Sequence, residues 1–230
     1  MTALLVPAIR LFRTWRPARV ASVVLRPIRP DDADALQSFV RALSPASRRL
    51  RFHAALNELS ATMLRALTCV DQRGHVAFVL TVTEHGTERI VGEACYAVSS
   101  DGETAEFGIA VADAFRGQGL AERLLAALID DARAAGVRWL VGEVLAGNAR
   151  MLAFMRRCGF AATTRGGLEP GLVRVERSVA RPLTVVRAGG SWTGVARHGL
   201  HHLLAALLPW PRNARFPVDV RRQARGPQTA

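Results

Sequence analysis

Apolar side chains follow two periods along this chain. Residues 20–28, 75–83 and 89–98 are rich in β-branched side chains, many of them alternating with polar ones, which predicts strands. A turn at 84–88 containing Gly86 joins the last two as a hairpin. A second turn at 99–102 leads into a strand over 104–111. Helical spacing appears elsewhere. The acids of 31–34 open a helix running to about Leu43, Ser44-Pro45 restarts the chain into a helical stretch over 46–56, and 60–68 is a third short helix. Residues 119–135 carry apolar positions at 120, 124, 125, 128 and 129, with Gly136 as the stop. A strand over 137–145 follows, then a helix over 149–158 capped by Asn148 and ended by Gly159; Phe160 and the run 171–176 close the pattern as a hairpin. Three β-rich runs followed by strand, helix, strand, helix and strand give an α+β domain: a central mixed sheet flanked by helices.

Composition sharpens this in two ways. The formal net charge of +12 sits almost wholly at the ends. Residues 1–20 hold four arginines and no acid, 181–230 hold eight arginines and one acid, and 21–180 hold 19 arginines against 18 acids. The expected organisation is a basic extension over 1–20, a nearly neutral domain over 21–180 and a second basic extension over 181–230. The last contains a short apolar helix at 198–208. The basic ends raise anionic membrane or nucleic acid as partners. The helix is short and the arginines are scattered, so extensions folded back over the domain are the favoured reading. The three cysteines, Cys69, Cys95 and Cys158, lack metal spacing and an even count, which reads as a reduced, cytoplasmic protein. His198, His201 and His202 share a helix face without further ligands, so no metal is expected.

The candidate chemistry starts at the 111–121 loop. Gly117 and Gly119 lie between a strand end and a helix start, where free backbone N–H groups and the helix dipole hold a pyrophosphate. Arg116-x-x-Gly119-x-Ala121 resembles the Q/R-x-x-G-x-G/A signature of the GCN5-related N-acetyltransferases, or GNAT superfamily. The opening Arg26-Pro-Ile-Arg-Pro-Asp-Asp and the segment Asn148-Ala-Arg-Met-Leu-Ala-Phe-Met-Arg-Arg-Cys-Gly-Phe160 resemble two further segments of that superfamily. Ser44-Pro-Ala-Ser-Arg-Arg-Leu-Arg-Phe52 is similar to a segment of the bacterial Pat-like protein lysine acetyltransferases. The resemblance covers roughly residues 22–178 and implies the GNAT acyl-CoA N-acyltransferase fold and acetyl-CoA as co-substrate. It implies that Arg116, Gly117, Gln118, Gly119, Leu120 and Ala121 hold the pyrophosphate, that Asn148 binds the pantetheine arm, and that the Val111 main chain polarises the thioester carbonyl.

An ammonium cannot attack a thioester before it loses a proton, so a base is needed. Glu106 is the candidate, because a carboxylate in a partly dry cleft is raised toward the useful range. Alternation places it on one strand face with Gly108 and Ala110, whose small size leaves room for a ligand there. Glu93 and Glu103 are weaker candidates on or beside neighbouring strands. Met155 stands where the family has a proton-donating tyrosine, so the departing thiolate takes its proton from another group or from water. Tyr96, the only tyrosine, has no assigned place. The expected activity is acetyl transfer to a primary amine, with a protein lysine as the first acceptor. A small-molecule amine is the alternative, as is a non-catalytic acyl-CoA sensor.

Overall fold

The β-rich runs form one sheet whose central strands bury apolar side chains on both faces, against helices that supply matching stripes. A computed structural model describes residues 13–15, 22–163 and 170–180. The chain runs β1 (Arg13–Trp15), β2 (Val23–Pro27), α1 (Ala33–Ala42), α2 (Pro45–Phe52), α3 (Ala61–Thr68), β3 (His75–Glu84), β4 (Thr87–Val98) and β5 (Thr104–Val111), then α4 (Leu120–Ala134), β6 (Trp139–Leu145), α5 (Ala149–Arg157), β7 (Ala161–Thr163) and β8 (Leu172–Ser178). The strand order is β1-β2-β3-β4-β5-β6-β8-β7. Every pair is antiparallel except β5 with β6. The expected α+β mixed sheet is present, with β1 added at its edge from within the stretch read as a basic extension. The 198–208 helix and the rest of 181–230 lie outside the described residues.

Two cores flank the sheet. On one face Leu124, Leu125 and Leu128 of α4 pack with Phe154 and Met155 of α5 against Leu80, Tyr96 and Phe107. On the other, Leu36, Phe39 and Val40 of α1 join Phe52 of α2 and Met63 of α3 over Val79, Ile90 and Cys95. The hairpin between β3 and β4 turns at His85 and Gly86, with φ of 50° and 78°. Both central residues are left-handed, as a type I′ turn requires. Tyr96 is fully buried, and its hydroxyl donates to Asp131 of α4 at 2.6 Å.

Two features shape the working end of the sheet. In β4 the register slips between Leu80–Gly92 and Thr81–Ile90, so Val91 is a bulge residue; its carbonyl accepts from the Ala112 amide at 2.8 Å. β5 and β6 pair only through Thr104–Trp139, Ala105–Leu140 and Glu106–Val141. Beyond that point they separate, β5 continuing on β4 to Val111 and β6 on β8 to Leu145. Phe107 sits at the crotch of this fork. A Cβ on Gly142 would come within 2.9 Å of its ring, and Phe160 packs against it at 5.2 Å between centroids.

The second helical stretch is shorter than the periodicity predicts. It ends at Phe52 and not near Leu56, because His53 turns left-handed at φ 54°. The buried guanidinium of Arg48 holds the chain that folds back, donating to the carbonyls of Leu56 at 2.9 Å, Arg41 at 3.0 Å and Leu43 at 2.6 Å.

Candidate functional site

The mouth of the fork opens into a cavity of about 280 Å³. Its walls come from the end of β5, the loop into α4, the start of α4, the face of α5 and one side of α2. Of the residues singled out in the sequence, Val111, Arg116, Gly117, Gly119, Leu120, Ala121 and Asn148 all line it. Glu106 and Gln118 do not.

The loop suits an anion for backbone reasons. Gly117 and Gly119 have φ of 75° and 73°, and a Cβ on either would project into open space. Successive left-handed turns of this kind gather N–H groups into a concavity. No side chain caps α4, whose N-cap is Gly119 itself. The first-turn amides of that helix, which have no intrahelical acceptor, are therefore left for a ligand. Gln118 contributes no side chain to the cavity; its amide donates back to the Ala114 carbonyl at 3.5 Å.

Arg116 is restrained by its neighbours. Its guanidinium bridges Asp113 at 2.6 Å and the Ser47 hydroxyl at 2.7 Å. Asp113 in turn accepts from the Ser44 amide at 2.8 Å and the Ser47 hydroxyl at 2.7 Å. Partial burial raises the Asp113 carboxyl, but these donors and Arg116 outweigh it and hold it below the ordinary aspartate range. Ser44 also caps α2 by accepting from the Ser47 amide at 3.2 Å. The Ser-Pro-Ala-Ser segment thus ties the start of α2 to the loop that opens the phosphate-type turn.

The space over Gly108 corrects a sequence expectation. Arg51, from the last turn of α2, fills it: a Cβ on Gly108 would lie 2.8 Å from the guanidinium carbon. Gly108 is small because an arginine needs the room. Arg51 donates from Nε to Glu93 at 2.5 Å, and from its second terminal nitrogen to Glu93 at 3.3 Å and to the Cys95 sulfur at 3.5 Å. The two side chains of the pair are only 5% and 7% exposed. Burial works against the Arg51 cation, yet Glu93 outweighs it and holds the guanidinium above its ordinary range. Burial pushes the Cys95 thiol up to about 12, so it stays protonated. Glu106 lies two residues before Gly108 on the same face, beside Ala97 of β4.

On α5, the Asn148 side chain accepts from the Met151 amide at 3.1 Å, so its helix-capping role is real. Met151, Phe154 and Arg157 turn toward the cavity. Met155 does not: it is 1% exposed and packs in the core.

The "Acetyltransferase (GNAT) domain" family profile matches residues 22–161. The chain belongs to the GNAT acetyltransferases. An acetyltransferase of Pseudomonas aeruginosa is 35% identical over 138 residues, spanning 60% of this chain and 74% of that protein. The L-methionine sulfoximine/L-methionine sulfone acetyltransferase of the same species is 32% identical over 111 residues, 46% of this chain and 64% of its relative. Among solved structures, the GNAT domain of S. lividans PAT superposes with a TM-score of 0.65 at 27% identity, covering 73% of this chain and 96% of that domain. A domain from Methanocaldococcus jannaschii shares the fold at 16% identity and a TM-score of 0.55. This GNAT chain is therefore an acetyl-CoA-dependent N-acetyltransferase. Arg51 and Asp113 are structural partners that the sequence reading does not include in the site, and Glu93, a weaker base candidate there, is instead paired with Arg51. The spacing of Ser44, Ser47 and Arg51 was their one visible trace.

Proposed function

We propose that the chain transfers acetyl from acetyl-CoA to the primary amine of a small molecule, with Glu106 as general base. The observation that carries this is the uncapped start of α4, opening with two left-handed glycines into the same cavity as the free edge of β5. In this reading the backbone of residues 116–121 holds the pyrophosphate, and Asn148 adds a polar contact along the arm. Acetyl-CoA supplies an activated thioester whose sulfur is a good leaving group.

The steps assigned to the protein are few. Glu106 removes a proton from the acceptor ammonium. A strand advances about 3.3 Å per residue, so Glu106 lies about 10–13 Å along β5 from Ile109 and Ala110, and the proton travels through water. The neutral amine attacks the carbonyl carbon, a C–N bond forms, and the Val111 N–H takes the negative charge developing on oxygen. The C–S bond then breaks, the attacking nitrogen gives up its second proton, and the leaving thiolate takes that proton through water. No proton donor is required at Met155.

The acceptor reading rests on the walls. Glu122 is the one carboxylate among the described residues lining the cavity, alongside four arginines. Such a lining gives little attraction to a polyamine or a lysine-rich peptide. Ser44 and Ser47 of the segment that resembles protein lysine acetyltransferases are used inside the fold, on Asp113 and Arg116. The relative that acetylates L-methionine sulfoximine supports a small amine. A protein lysine is the second reading, favoured by the likeness to the S. lividans PAT domain. Thiol release from acetyl-CoA across small amines and lysine peptides separates the two. Glu106→Gln is expected to slow turnover on the order of 10²–10⁴-fold while leaving acetyl-CoA affinity unchanged. Undiminished turnover in that variant removes Glu106 as the base.

A further inference from the structure

The Arg51–Glu93 pair is more than a buried brace. Arg51 also forms part of the cavity wall, beside Leu43, Leu50, Ile109 and Ala110. A guanidinium carries five N–H donors in a rigid fork. Those on Nε and one terminal nitrogen are turned to Glu93 and Cys95. The other terminal nitrogen donates to no hydrogen-bond acceptor among the described residues. It is not among the buried polar atoms left without a partner either, so it reaches accessible space. The position of Arg51 is fixed from three sides: by Gly108 beneath it, by Glu93 along one edge, and by the Phe52 ring 4.9 Å from its central carbon.

We infer that Arg51 docks a carboxylate of the acceptor, and that the acceptor is an α-amino acid or a close analogue carrying its amine one carbon from that carboxylate. This rests on the small-amine reading above and names its substrate class. Glu93 acts as a positioning residue. It balances the charge of Arg51 without consuming all of its donors, and it leaves the unused terminal nitrogen over Gly108 of β5. Apolar Leu43, Leu50 and Ile109 beside it suit an uncharged side chain on the amino acid. An acceptor without a carboxylate would leave that edge unpaired in a partly dry wall, which is where polar discrimination is strongest.

The test uses the full chain and matched pairs: L-methionine against 3-(methylthio)propylamine, and L-phenylalanine against phenethylamine. The readouts are thiol release and acetyl-CoA affinity by calorimetry. The carboxylate-bearing member is expected to show a kcat/KM on the order of 10–100-fold higher, from one charge-assisted hydrogen-bonded contact. Arg51→Gln is expected to erase that ratio, bringing kcat/KM for the amino acid down to that of its decarboxylated partner in the same variant. Arg51→Lys, which keeps the charge, should retain part of it and serves if the glutamine variant does not fold. Equal or better turnover of the decarboxylated amines by the unaltered protein overturns the assignment, as does a ratio that survives in folded Arg51→Gln. Turnover of a lysine peptide alone, or of no amine while acetyl-CoA binds, also overturns it but leaves the cofactor half of the proposed function standing. Failure of acetyl-CoA to bind removes both.

Discussion

Glu93→Gln is the sharpest probe of the buried pair. The substitution keeps shape and a hydrogen-bond acceptor but removes the carboxylate paired with Arg51, whose side chain is 5% exposed. Taking one partner from a buried ion pair costs about 3–5 kcal/mol, because the remaining charge is left uncompensated. The retained amide oxygen places the expectation at the low end, about 3 kcal/mol. For a domain of this size each kcal/mol moves the melting point by about 2–4 °C, so a fall of roughly 6–12 °C should accompany it. Urea unfolding followed by circular dichroism measures the loss directly. Removing both charges in Arg51→Met with Glu93→Leu should recover most of it, since an apolar pair of similar volume replaces a desolvated ionic one. A loss under about 1 kcal/mol for Glu93→Gln would match an exposed pair and would refute the burial of Arg51 against Gly108.

Three further expectations bear on the site and its support. Gly119→Val forces a β-branched residue into φ 73° and should weaken acetyl-CoA binding by tenfold or more, on a backbone penalty of about 1–2 kcal/mol; unchanged affinity in calorimetry would deny the loop its role. Ser47→Ala removes the hydroxyl shared by Asp113 and Arg116, costing about 1 kcal/mol and raising the acetyl-CoA KM, whereas Ser47→Thr should restore both. Asp32 is buried, which raises its carboxyl, but twin hydrogen bonds from Arg26 at 2.7 Å and the Arg29 amide prevail and hold it below 3.8. Its folded value is depressed, so its contribution is complete at neutral pH and is lost as pH falls from 3.8 through that lower value. Acid unfolding of Asp32→Asn should accordingly be shallower than that of the parent, beginning from a lower stability at pH 7.

Most of the fold was legible because local pattern and tertiary environment agree. Residues 104–111 alternate as a strand whose Ala105, Phe107 and Ile109 are buried, and α4 stops at Gly136, whose φ is 84°. The loop glycines were legible for the same reason: a left-handed φ leaves its mark on residue type. What escaped were pairings between distant positions. Arg51 and Glu93 are 42 residues apart, and Ser47 and Arg116 are 69 apart. Nothing local distinguishes an arginine bound to a buried glutamate from one on a solvated helix face. Alternation predicts that Gly108 and Ala110 leave room for a ligand, but the room at Gly108 belongs to Arg51. The position where the family has a tyrosine is a packing position in this chain, because the amphipathic turn of α5 sends Met151 and Phe154 to the cavity and Met155 to the core.

The fork between β5 and β6 has a mechanical consequence. The sheet consists of two panels, stitched by three rungs at 104–106 and wedged apart by Phe107 at Gly142. Past the stitches the facing edges of Phe107–Val111 and Gly142–Leu145 are not paired with each other, so the three rungs are the backbone link between the panels along these strands. An extended ligand laid in the gap would act as a brace as much as a reactant. At a hundred times its dissociation constant it would stiffen the domain by about 2.7 kcal/mol. Amide exchange along residues 107–111 should then slow in step with occupancy, reporting the closing of the fork before any bond is made or broken.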